Sequence, residues 1–397
     1  MRQLQTTLRA TIRSARARQG AGVLRLAVAA AVLVMAPDDG LAQSRVSAGS
    51  PLPAPTDILN AEFSTVSAVR ELSDGRLLVI DERERRLLVV DWRNGTTRVV
   101  GREGRGVGEY TEPRVLFSIG ADSSLLPDPR SGRWLLLAGD SITGQVTGDA
   151  PVLRAIRGSP RGADGHGNVF GLEPRLAGGV PRLDSLLLIR AVRASAKVDT
   201  LATVLARPVT FTASGTIDPT KPTPIVSNPL SAGEQIAVFP DGWVAIARRS
   251  PYRVEWIEPN GRRLPGAPLP DERIAVNDRE KRVALDAEAR LTGRPPRDLD
   301  AVGDWPTTVP PFLATPLLAA LDGTLWIRRT QTAANPQVRY DVVDRRGAIV
   351  RVVTLDLSER IVGFGRGSVF TTRADADGIE VLRRHPMTVT ATRRIRF

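Results

Sequence analysis

The chain has 397 residues, 42% hydrophobic, 25% charged and 5% aromatic, with 35 glycines, 30 prolines and no cysteine. This is a globular composition, and it excludes collagen-like or wholly disordered chains, disulfide frameworks, thiolate metal sites and thiol nucleophiles. Two histidines, His166 and His385, are too few for a three-histidine metal site, and the formal net charge of +12 is spread along the chain rather than gathered in a patch of the kind that grips nucleic acid.

The N-terminus reads as a secretory signal. Arg2, Arg9, Arg13, Arg16 and Arg18 precede an apolar run from Leu26 to Ala36, Pro37 ends the run, and Gly40 and Ala42 supply the small residues of a cleavage site. The run is shorter than the roughly 20 residues that span a bilayer. No cysteine follows it to take a lipid, and no twin arginine precedes it. The expected domains are therefore a signal peptide over 1–42, a flexible Ser/Pro/Gly-rich lead-in over 43–58 and one folded domain over 59–397. No membrane span is expected after cleavage. Residues 1–42 carry six arginines and two aspartates, so +8 of the net charge falls on the remainder.

From about Phe63 the chain is strand-like, and it repeats. Val69–Asp81 turns at Asp74-Gly75, passes through Arg86–Asp91 and turns again at Asn94-Gly95. Ile236–Ala247 turns at Asp241-Gly242, then Arg253–Glu258 leads to Asn260-Gly261. Leu317–Arg328 turns at Asp322-Gly323, then Val338–Asp344 leads to Gly347. Asp-Gly and Asn-Gly accept the positive φ of tight hairpins, so each unit is an antiparallel meander. A meander cannot cover both its own faces, and stacking such units around an axis does so in a β-propeller. Weaker copies start at Ala121-Asp122 with Trp134–Leu137, at Asp164 with Val169-Phe170, Leu186–Val192 and Thr200–Leu205, and at Ile361–Phe364 with Ser368–Thr372, Ile379–Arg383 and Thr388–Ile395.

The predicted fold class is all-β, a six-bladed β-propeller of four-stranded antiparallel meanders, with seven blades as the alternative. Insertions are expected at 214–232 and 275–312. The second carries a short helix over 278–291, with Val283, Ala284, Ala287 and Leu291 on its apolar face.

Val100-Gly-Arg-Glu-Gly-Arg-Gly-Val-Gly-Glu-Tyr-Thr-Glu-Pro113 follows the first meander. With the Asp-Gly-x-Leu-x-Val-x-Asp pair at 74–81, it resembles the blade linker of NHL-repeat-like and TolB-like six-bladed propellers. Gly101, Gly104, Gly106, Gly108, Glu109, Tyr110 and Pro113 match, whereas Val107 stands where the family commonly has proline. The resemblance implies an exported bacterial protein, periplasmic or secreted, that binds at a propeller face. Some relatives in the wider fold group are Ca²⁺-dependent lactonases or Zn²⁺-dependent lyases.

The glycine stretch lacks the Gly-Lys-Ser/Thr of a phosphate loop and the spacing of a dinucleotide turn. Asp81, Glu82, Glu84, Asp91 and Asp140, or Asp375 and Asp377, could supply oxygen ligands for calcium, but none forms a full calcium loop. His166 lies in the turn Asp-Gly-His-Gly-Asn and reads as an exposed turn residue, with a general base as the sharper alternative. No Gly-x-Ser-x-Gly elbow is present. No metal site and no cofactor is therefore expected, with Ca²⁺ as the alternative.

Arginines recur after the second strand of several units: Arg83, Arg85, Arg248, Arg249, Arg328, Arg329 and Arg373. Blade stacking would put these connections on one face, where guanidinium groups could bind carboxylate, sulfate or phosphate; as solvated rim charges they would pair with local acids. The expected function is a non-catalytic, monomeric binding or scaffold propeller for a protein, peptide or anionic glycan. The alternative is a divalent-metal-dependent lactonase or hydrolase with an axial site. The apolar innermost strands beginning at Val69, Ile236 and Leu317 favour binding.

Overall fold

Strand pairing resolves the repeat into six four-stranded antiparallel sheets, the blades of one propeller. The computed structural model describes residues 49–147, 156, 160–193, 195, 197–208, 210–211, 225–226, 228–313 and 317–387. The expected signal peptide, the start of the lead-in, most of the insertion at 214–232 and the strand expected at Thr388–Ile395 lie outside these residues.

In order from the inner strand outward, blade one is Val66–Glu71, Leu77–Asp81, Arg86–Asp91 and Thr96–Val99. Blade two is Phe117–Ser118, Ser123–Asp128, Arg133–Ala138 and Ser141–Val146. Blade three is Pro160–Ala163, Val169–Ala177, Val180–Ala191 and Val198–Leu205. Blade four is Gln235–Val238, Val244–Arg249, Tyr252–Ile257 and Arg263–Leu264. Blade five is Leu318–Ala319, Leu325–Arg328, Val338–Val343 and Ile349–Leu355. Blade six is Glu359–Gly365, Ser368–Ala374 and Glu380–Pro386, with Asp57–Phe63 as its outer strand.

That last strand comes from the N-terminal side of the described chain. The N-terminal strand pairs with Glu380–Pro386 and closes the ring, so the two ends of the described chain share one sheet. Local pattern cannot show a pairing between segments so distant in the chain. The lead-in differs too. Ser50–Pro51 adds to the outer strand of blade five in parallel, and the segment runs on into Asp57–Phe63, so its described part lies against two blades.

The inner hairpin turns use glycine for the stated reason. Gly75, Gly242 and Gly323 have φ of 89°, 84° and 85°. Middle strands are covered by a neighbouring blade on each face, so Leu77, Leu78, Val79 and Ile80 are all fully buried. Such strands read as unbroken apolar runs, and each such side chain contributes about 2 kcal/mol on burial. The core lies between blades: Ala247, Val254 and Trp256 of blade four pack with Leu325, Ile327 and Val343 of blade five. Inner strands converge near the axis, where a Cβ on Gly363 would lie 2.4 Å from the Val69 carbonyl oxygen.

The insertion helix runs Asp278–Thr292, capped by Asn277, whose side chain accepts from the Arg279 and Glu280 amides. Its buried face is Glu280, Ala284, Leu285 and Ala287, whereas Leu291 is exposed. This corrects the expected face. Ala284 packs on Leu230 and Val309, beside Ile274, Val276, Trp305 and Leu313.

The disc has two unlike faces. On the turn face, between inner and second strands and between third and outer strands, short turns are tied across blades. The Ser73 amide donates to Asp122 at 2.7 Å, Arg76 pairs with Asp140 at 2.6 Å, and the Gly165 amide donates to the Pro240 carbonyl at 2.6 Å. The opposite face carries the second-to-third-strand connections and the blade linkers, and is called the loop face below.

Candidate functional site

The seven arginines lie toward the loop face in blades four, five, six and one, but only Arg83, Arg85 and Arg329 fall in the connections; Arg248, Arg249, Arg328 and Arg373 close the second strands themselves. Their environments divide them. Arg248 is enclosed between carboxylates, 2.5 Å from Glu234 and 2.8 Å from Glu255, and also donates to the Thr203 carbonyl. Arg329 pairs with Asp271 at 2.6 Å and Asp341 at 3.1 Å, with its guanidinium 4.5 Å from the centre of the Tyr252 ring. Arg85 reaches Glu103 at 3.2 Å. Arg83 and Arg373 are exposed, with no side-chain partner among the described residues. The Nε of Arg249 is buried without a partner. Arg328 borders a small niche with Ala284, Ala287, Leu291 and Leu313. Sequence reading missed Arg130, exposed in the equivalent connection of blade two, a blade whose inner turn at Asp122 lacks the Asp-Gly pair that marks the clearer repeats.

A cleft of about 600 Å³ opens on the loop face beside Arg329. One wall is the blade-five connection from Thr330 to Gln337, and the other is Pro270–Ile274 with Val309–Pro311. The insertion helix braces the first wall: the Ala333 amide donates to the buried Glu280 carboxylate at 3.0 Å. The floor is a buried charge network. Asp341, fully inaccessible, accepts from the Tyr252 hydroxyl at 3.0 Å, from Arg329 and, at 3.0 Å, from Arg339. Burial raises the Tyr252 phenol above its ordinary range, and the Asp341 charge adds to that. Burial likewise raises the Asp271 carboxyl, against the opposing pull of Arg329. Two polar atoms of the lining, Arg339 Nε and Thr330 Oγ1, are buried without partners. Asp271, Arg339 and Asp341 were not foreseen. The available signal was Val338-Arg-Tyr-Asp-Val-Val343, where charges interrupt a strand that is otherwise apolar.

Of the acids considered as calcium ligands, all but Asp377 have other partners. Asp81 is buried and accepts from the Ser64 and Thr65 amides of the linker into blade one. Asp128 of blade two does the same for Thr111 and Glu112. Asp91 holds its own turn through the Arg93 amide, and Asp140 receives Arg76 and Arg98. Glu84 accepts from the Ser64 hydroxyl, and Glu82 lies 3.5 Å from Arg114. Asp375 caps its turn by accepting from the Asp377 and Ile379 amides. Among the described residues no three His, Asp or Glu side chains gather as a metal-ligand group. His166 is an exposed turn residue whose amide donates to Asp164.

The glycine-rich linker also has a definite partner. Its carbonyls at Gly104, Arg105, Gly106 and Glu109 all accept from the buried Arg133 guanidinium, at 2.7–3.3 Å. The loop presents carbonyl oxygens to a cation rather than amides to a phosphate.

No family model and no curated protein matches this chain. Solved structures do. A Bacteroides fragilis protein named for its inferred export is 11% identical, with a TM-score of 0.47 over 85% of this chain and 97% of that one. A catalytically inactive virginiamycin B lyase of Staphylococcus aureus, with quinupristin, is 8% identical, with a TM-score of 0.35 over 84% and 89%. A gluconolactonase of Xanthomonas campestris is 11% identical, with a TM-score of 0.40 over 86% and 99%. At these values the likeness carries nothing about activity or ligand; the six-bladed β-propeller stands on this chain's own strand pairing.

Proposed function

We propose that the chain is a non-catalytic binding propeller, exported by its N-terminal signal and active as a monomer, whose loop face holds a polypeptide segment in the cleft between blades four and five. One observation supports this reading above others: the cleft's arginines are already matched by carboxylates, Arg329 by Asp271 and Asp341, and Arg339 by Asp341. The cleft therefore presents little unopposed positive charge to an anionic glycan. Pro270, Pro310, Pro311 and Pro336 supply rigid apolar walls, and the unpartnered Arg339 Nε and Thr330 hydroxyl need polar partners. An extended peptide offers both apolar side chains and evenly spaced backbone carbonyls. A second reading, an anionic ligand elsewhere on this face, is favoured by the unpaired Arg83 and Arg373.

The test is a peptide-display selection on the native chain, with winners titrated calorimetrically. The comparison is Ala334→Trp, an exposed wall position where a ring would fill the cleft. The peptide reading expects a loss of about tenfold or more in affinity on filling the cleft, with little change at high salt or with EDTA. Equal binding to both proteins overturns it. Salt-sensitive binding of a sulfated glycan, lost in Arg83→Ala/Arg373→Ala, supports the second reading. Ca²⁺-dependent stabilisation or lactone hydrolysis would support the metal-dependent enzyme instead.

A further inference from the structure

The segment from Ser50 to Phe63 straps blades five and six together. Ser50–Pro51 pairs with Ile349–Leu355 of blade five, Leu52 packs against the core between the two blades, and the Thr56 amide donates to the Arg384 carbonyl at 2.8 Å. Midway, the Pro53 carbonyl oxygen lies 2.8 Å from Nδ1 of His385. His385 is almost wholly buried, on the third strand of blade six. Its Nε2 lies 2.9 Å from the Thr371 hydroxyl, which donates to Glu359 at 2.7 Å, and 3.3 Å from Glu359 itself.

Protons can be counted in this cluster. A carbonyl only accepts, so Nδ1 must carry a proton. The Thr371 hydroxyl has one proton and gives it to Glu359, so it can only accept from Nε2, which must carry a proton as well. The alternative places that proton on Glu359 and reverses the chain through Thr371. Either way the pair holds one proton more than a neutral imidazole beside a carboxylate. We infer that the strap is fastened by a buried imidazolium, His385 bridging Pro53 and Glu359, and that losing this one proton unfastens the N-terminal strap from the blade five–six seam.

The surroundings fit a proton held on the ring. Burial works against a charged His385, but the hydrogen bonds to Glu359 and Pro53 and the Glu359 charge outweigh it and raise its pKa above the ordinary value; Arg383, on the same strand, opposes them. Burial likewise works to raise Glu359, but the bonds from His385 and Thr371 prevail and hold its carboxyl below the usual range. Other charged or titratable groups on the packed elements are Arg328, Arg339, Tyr340, Asp341 and Arg351 of blade five, Arg360, Arg373, Glu380 and Arg384 of blade six, and Asp57 and Glu62 of the strap. A group whose pKa is raised on folding stabilises fully below its unfolded pKa, and that stability is lost as pH rises through the folded pKa. The strap is therefore fastened at low pH and loosened as pH rises through the raised pKa of His385.

The test uses the full chain with His166→Asn, which leaves His385 as the single histidine. Imidazole ¹⁵N shifts report its protonation between pH 5 and 10, and amide hydrogen exchange reports protection at the strap's non-proline amides, Thr56 above all. Two protonated nitrogens at neutral pH are expected, with a midpoint above the free histidine value. Protection of the strap, corrected for intrinsic exchange, should then fall through that midpoint by about tenfold for each unit of upward shift. Glu359→Gln should lower the midpoint and move the loss of protection with it, while blade-one amides stay protected. A neutral ring at pH 7, or strap protection indifferent to the His385 midpoint, overturns the inference whether or not Glu359→Gln folds.

Discussion

The two faces of this propeller are built from the same residue types and do different work. On the turn face, arginines and acids act between blades: Arg76 with Asp140, and Arg345 with Asp241 at 2.5 Å, the latter guanidinium 4.7 Å from the Trp243 ring centre. The turns there are short and leave no long segment to wall a site. On the loop face the chain makes long excursions, one of them helical, and the charges divide into a buried set and an exposed set. An arginine in a second-to-third-strand connection is therefore not one kind of residue. Arg329 is part of the fold, whereas Arg83 is exposed with no side-chain partner among the described residues.

That difference can be broken at several points. The largest effect is expected for Arg329→Ala, which leaves the inaccessible Asp341 and the neighbouring Asp271 without their shared cation; breaking a buried pair costs about 3 kcal/mol or more, read as a lower denaturant midpoint. Asp128→Ala should cost about 2–3 kcal/mol, because it orphans the Thr111 and Glu112 amides that tie the linker to blade two. The same carboxylate carries a pH signature. Burial would raise it, but hydrogen bonds from Ser131 and Thr111 hold it below the ordinary aspartate value. Its contribution is present above the unfolded pKa and lost as pH falls through the lower folded value, so Asp128→Asn should flatten part of the acid limb of stability against pH. Gly363→Ala forces a methyl against the Val69 carbonyl at the crowded axis and should cost about 2 kcal/mol by thermal unfolding. Asn277→Ala removes the helix cap and should cost about 1 kcal/mol, loosening the braced cleft wall without opening the ring. The smallest effect sharpens the contrast: Arg83→Ala and Arg373→Ala should each change stability by less than about 0.5 kcal/mol. A larger loss from either would mean that the exposed set is structural as well.

Much of this architecture was legible in the residues. Asp74-Gly75, Asp241-Gly242 and Asp322-Gly323 mark the inner hairpins because positive φ is cheap only for glycine, and the apolar runs beside them mark strands covered on both sides. The Gly-rich linker was legible as a linker, but its partner was not. Arg133 belongs to the third strand of the following blade, and nothing in that strand says which carbonyls surround it. The helix was placed to within one residue, yet its buried face was shifted. Leu285 is buried where Leu291 was expected to be, because Leu230 and Val309 meet the helix at Ala284, a choice made by the neighbours and not by periodicity.

The sequence by itself favoured six blades over seven and placed most of the turns, because those signals arise within the stretch of chain that makes one blade. Tertiary structure decided which arginines are free, where the cleft opens and how the ring closes. Those outcomes depend on pairs such as Arg329 with Asp271, Pro53 with His385 and Phe63 with Glu380, whose members come from different blades or from opposite ends of the described chain. A carboxylate neutralises whichever guanidinium the fold brings within about 3 Å, and no local pattern records that distance.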